Sequence, residues 1–179
     1  MQARLALTLA ALGLAVASAA QELPPVGPPA ELAELDFMLG TWKTDEFQFR
    51  QTPDQPWQTS AATMKVERIL GGAAHRSHFS STVMGTSLEG QGTLTFNRET
   101  GKWQNVWVDG MSAYQVMTQG TLKEETLVLE GEDRYQGRAY RMRDTTRKVS
   151  ETELEWTLEM STDRGATWFT SMQATYRKR

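Results

Sequence analysis

Cysteine is absent from all 179 residues. That excludes disulfides, thiolate nucleophiles, zinc–thiolate sites and a lipid-modified cysteine behind an export signal, so the fold must be held by its core alone. Histidine is nearly as scarce, with two copies. His75 and His78 stand three apart in HRSH, and a strand sends such residues to opposite faces, so they cannot share a metal. No serine sits in a nucleophile motif. Basic blocks are missing as well, and a formal net charge of −3 argues against nucleic acid or an anionic membrane surface as partner. No internal repeat is visible, and beyond residue 20 no apolar run approaches a membrane-spanning helix. These absences lead us to expect no metal, no cofactor and no catalytic constellation.

What is present begins with MQARLALTLAALGLAVASAA, residues 1–20. Arg4, the apolar stretch Leu5 to Val16 and the small residues Ala17-Ser18-Ala19-Ala20 form the three parts of a secretory signal peptide. The expectation is a periplasmic or secreted protein cleaved near residue 20. Residues 21–30 are proline-rich and read as an extended linker, and residues 31–179 as one domain. An outer-membrane barrel is disfavoured: the chain ends in YRKR, and Glu153, Glu155 and Glu159 would be costly on a lipid face.

Behind the prolines, Leu32, Leu35 and Leu39 recur at helical spacing and predict a short helix. From Gly40 onward the period is two. In ELEWTLEM, residues Leu154, Trp156, Leu158 and Met160 share one face, and in TWFTSMQATY so do Trp168, Met172, Ala174 and Tyr176. Eight further runs, from WKTDEFQF to RAYRMRDTTRKV, bring the total to about ten short strands separated by turn segments. The expected fold class is all-β, a single antiparallel meander barrel of about ten strands with a short N-terminal helix.

Between the last two runs lies STDRGATW, which resembles the Asp box of sialidases and related β-propellers. A propeller needs several blades of about 40–45 residues, and one motif in one small domain cannot supply them. The stretch reads as a hairpin turn, with Asp163 accepting backbone N–H groups, Gly165 supplying a positive φ and Trp168 packing beneath.

A helix, then Gly40-Thr41-Trp42 opening the first strand, then a meander: this arrangement resembles the lipocalin-like (calycin) barrels. The resemblance implies that Trp42 plugs a closed end beside a basic residue just past the last strand, where Arg177 and Arg179 stand. Haem-binding relatives of such barrels use a histidine late in the chain, and none follows His78. LDFMLGTW, LEGQGTLTFNRETGKWQNVWVDGMS, TQGTL and DRGATWFTSMQATYRKR also resemble an exported bacterial family of unknown function with that barrel. This second resemblance implies a fold and a compartment, and no activity.

Candidate ligand contacts follow from the alternation. KWQNVWVDG places Trp103, Asn105, Trp107 and Asp109 on one face. A four-residue turn, Arg98 to Gly101, would pair Asn97 with Lys102 and set Gly92 and Gly90 opposite Trp107 and Asp109. Aromatics against glycines predict room for a ligand, with Asn105, Asp109 and Tyr114 as polar contacts. In RAYRMR, Arg138 and Tyr140 share a face, and a similar Arg-x-Tyr pair holds a carboxylate in fatty-acid-binding barrels. The leading reading is a binding protein for a small, largely apolar or amphipathic molecule, monomeric or weakly dimeric. The alternative is a barrel enzyme (isomerase, cyclase or hydrolase) using Asp109 with Tyr114 or Arg138 as acid–base groups.

Overall fold

A computed structural model describes residues 26–135 and 137–179. The expected signal segment, 1–20, and half of the linker lie outside them. Ten antiparallel strands follow one another as a meander: β1 (Gly40–Phe49), β2 (Gln58–Ile69), β3 (Ala74–Val83), β4 (Thr86–Asn97), β5 (Lys102–Asp109), β6 (Gln115–Lys123), β7 (Thr126–Tyr135), β8 (Arg138–Ser150), β9 (Glu153–Ser161) and β10 (Phe169–Lys178). Each pairs with its neighbour in sequence, and β10 returns to β1, so the sheet closes into a barrel with no free edge. The β4–β5 register is the expected one, Asn97 opposite Lys102 and Gly90 opposite Asp109.

The predicted helix is a 3₁₀ helix, Ala30–Met38. Its three residues per turn line up Leu32, Leu35 and Met38, which are buried, in place of the expected Leu39. Packing against Val66, Leu94, Trp103, Leu127 and Leu129 holds this nine-residue element over one barrel end as a plug. Trp42 is fully buried beside it and donates its indole N–H to the Met38 carbonyl at 2.8 Å.

The basic residue on Trp42 is Lys178, 5.1 Å from the ring centroid, not Arg177 or Arg179. Strand pairing explains the difference. Lys178 is the direct partner of Trp42 and shares its face, whereas Arg177 points outward to Glu153 at 2.5 Å.

The β9–β10 turn is built on Asp163, which accepts from the Thr167 N–H at 2.9 Å and from the Thr167 and Ser161 hydroxyls. Those donors hold its carboxyl well below the usual range. Gly165 takes φ +94°, which glycine alone adopts cheaply. Trp168 does not join the inner face of Met172. A register shift between Thr170 and Met172 leaves it outside, under the guanidinium of Arg143 at 4.0 Å.

β1 bulges between Lys43 and Gln48, losing its pairing with β10 there, and its register with β2 shifts at the same place. The ladder is irregular at this point while the barrel stays closed. An open groove of about 750 Å³ runs along it, and four inward-facing residues, Thr44, Ala62, Trp156 and Ala174, reach its lining.

Candidate functional site

The inner face of β5 carries Trp103, Asn105, Trp107 and Asp109, but they do not form one site. Trp103 is buried under the plug helix, edge-on to Phe96 at 5.2 Å. Trp107 lies across Gly90, where any Cβ would run into its indole, and it meets Phe79 at 6.3 Å. The space that the glycines release is therefore filled by Trp107 itself. Asn105 is half-buried, with Thr118 of β6 as its cross-strand partner and Ser77 of β3 beyond Gly92.

Asp109 is a turn anchor. It accepts from the Trp107 indole, the Met111 and Ser112 backbone N–H groups and the Ser112 hydroxyl, all between 2.7 and 2.9 Å. Burial pushes its pKa up, but these donors outweigh burial and hold the carboxyl below its ordinary value. Tyr114 is exposed and gives its hydroxyl to Asp133 at 2.9 Å. Tyr140 donates to the same carboxylate at 2.5 Å, while Arg138 stays exposed at the start of β8. Asp109 thus anchors its turn within electrostatic reach of Tyr114, Tyr114 and Tyr140 meet on Asp133, and Arg138 has no side-chain partner among the described residues.

Phe47, Phe49, Phe79, Val83 and Leu88 form a buried cluster on the β1–β4 side that extends to Leu154, Ala174 and Tyr176 of β9 and β10. On β8 to β10, the inward-facing Met142, Asp144, Trp156, Leu158, Met160 and Met172 are only half-buried. Their pairing fixes their direction: Asp144 opposes Leu129 on β7 and Leu158 on β9, and Met172 opposes Leu158 in turn. These inward-facing side chains keep part of their surface accessible, and barrels of about eight strands are already wide enough to hold a small ligand.

Asp144 is the polar centre of that wall. It sits deep among protein atoms, and its single hydrogen bond among the described residues comes from the Trp156 indole N–H to Oδ1 at 3.1 Å. Burial raises its pKa to about 6, only partly offset by that bond. Tyr176 is buried nearby and its hydroxyl makes no hydrogen bond among the described residues. Burial, then the Asp144 charge, push the Tyr176 pKa upward, so this phenol stays protonated. Neither Asp144 nor Tyr176 stood out from the sequence. The available signal was the alternation of RAYRMRDTTRKV, which puts Asp144 on the face of Tyr140 and Met142.

Two further buried groups lack partners, both nitrogens of His75 and the Thr118 hydroxyl. Burial keeps His75 below its ordinary pKa, against the pull of Asp36 at 3.8 Å. Among the described residues no cluster of three metal-binding side chains occurs and no helix is long and apolar enough to cross a membrane.

Residues 28–178 match the family described as protein of unknown function (DUF1579), so the chain belongs to that family. No curated protein matches it. Among solved structures it is similar to Rv2717c from M. tuberculosis, with TM-score 0.61 and 14% identity over 86% of this chain and 99% of that one. At that identity the likeness extends to the fold.

Proposed function

We propose that this DUF1579 protein binds a small amphipathic molecule inside its barrel. The observation that carries the reading is the half-buried inner wall of β8 to β10, in a barrel otherwise sealed by the plug helix and the β1–β4 aromatics. Met142, Leu158, Met160 and Met172 offer a soft apolar surface that adapts to a ligand's shape. Asp144, the Trp156 indole and the Tyr176 hydroxyl supply a few polar groups, the mix usual in ligand sites. The bulged stretch between β1 and β10, with the groove along it, is where a ligand would enter. A lipocalin-like relationship would fit the same reading, with Trp42 at the closed end, and residues 1–20 would place the work outside the cytoplasm.

Native mass spectrometry of protein from its source cells tests this. A retained small molecule is expected. A ligand-free spectrum, together with no tryptophan response to a panel of amphipathic probes, overturns the reading.

A second reading, a proton-transfer enzyme, draws on one observation: a carboxyl with pKa about 6 and a protonated phenol face the same interior. A carboxyl tuned toward neutrality suits a general base, and a phenol suits a donor to developing negative charge.

A further inference from the structure

We infer that the molecule held in the barrel carries a cationic nitrogen, an alkylammonium, seated against Asp144. This rests on the binding reading above and names the ligand class.

Carboxylates deep in a protein are normally paired with a base, because an isolated buried charge is costly. Asp144 has no such base. Burial and the Trp156 hydrogen bond are the influences on it, and no Lys, Arg or His is among them. Arg138, on the same face of β8, stays exposed at the start of the strand, and the other basic groups near the interior are committed elsewhere. Lys148, further along β8, holds Glu125 at 2.9 Å and Glu151 at 2.6 Å. Lys178 lies over Trp42, and Arg68 forms a two-pronged pair with Asp36. His75 is kept neutral by burial. One carboxylate oxygen, Oδ2, therefore keeps its acceptor capacity unused among the described residues.

The surroundings favour a cation over a neutral donor. Trp156 turns its N–H edge to Asp144 Oδ1, and its ring is stacked at 6.1 Å on Phe47. An ammonium beside the carboxylate gains charge-assisted hydrogen bonds that a neutral donor cannot match. The methionine and leucine side chains beyond suit an alkyl chain. A carboxylate ligand would be repelled by Asp144.

The test uses four probes with the same ten-carbon chain: decylamine, decyltrimethylammonium, decanol and decanoate. Binding to the full-length protein is measured at pH 7.5 by calorimetry and tryptophan emission, with wild type, Asp144→Asn and Trp156→Phe. Circular dichroism verifies that each variant is folded. In wild type the two ammonium probes are expected to bind about tenfold or more tighter than decanol, and decanoate weakest. Asp144→Asn is expected to abolish that preference, and Trp156→Phe to reduce it. Decanol or decanoate binding as tightly as the amines, or a preference that survives Asp144→Asn, overturns the ammonium assignment and leaves the binding reading standing. If none of the four binds, both fall.

Discussion

Trp156 donates its indole N–H to Asp144 across 3.1 Å, and nothing else among the described residues bonds that carboxylate. A single donor does not repay the burial of a charge, so the folded protein holds Asp144 protonated up to about pH 6. Because the folded pKa lies above the ordinary 3.8, the folded state binds this proton more tightly than the unfolded state. The contribution is fully present below the unfolded value and is lost as pH rises through about 6. Asp144→Asn keeps an acceptor for Trp156 and removes the charge. It should raise stability at pH 7 by up to about 2–3 kcal/mol and change little at pH 3.5. Denaturant melts at the two pH values measure this, and an equal effect at both would contradict it.

Trp42 is expected to be the main apolar anchor of the closed end. Trp42→Ala removes a fully buried indole and should cost about 3–5 kcal/mol. Lys178→Ala, which removes the cation above the ring, should cost about 0.5–1 kcal/mol, and Arg177→Ala less. Thermal denaturation of the three variants gives the order directly; Arg177→Ala exceeding Lys178→Ala would reverse the assignment.

Gly90 and Trp107 are predicted to be interdependent. Gly90→Val puts side-chain atoms where the indole lies, so Trp107 must move or the strands must part. Overpacking of this kind costs about 1–3 kcal/mol. The double variant Gly90→Val with Trp107→Ala should recover part of that loss, which a double-mutant cycle reads out.

Export is tested at the amino terminus. The mature protein is expected to begin at or near Gln21, from the arrangement of residues 1–20. Intact mass of the protein recovered from the extracytoplasmic fraction checks it. A full-length chain retained in the cytoplasm would refute the expectation.

The meander itself was legible in the chain, because each strand alternates and each turn carries its own chemistry. ELEWTLEM has one apolar face whatever surrounds it, and the Asn97–Lys102 pairing follows from the length of one turn. The Asp163 turn is equally local, since its bonds run between residues 161 and 167. Distinctions of one residue were not local. Leu39 and Met38 both suit an apolar stripe, and only packing against the barrel end selects the three-residue period that buries Met38. Arg177 and Lys178 are adjacent bases, and the closure of β10 on β1 decides which shares a face with Trp42.

Asp144 shows most clearly what only the tertiary structure decided. RAYRMRDTTRKV is polar on both faces, so alternation tells which residues stand together but not which set looks inward. Pairing with Leu129 and Leu158 turns Asp144 into the barrel, where the protein atoms crowded around it and the lack of a base make it the centre of the candidate site. The glycines of β4 taught the converse: the sequence announced space beside Trp107, and cross-strand packing laid the indole into it. Local periodicity determined the strands and their partners; the closed barrel, a long-range condition, determined which wall was left unfilled.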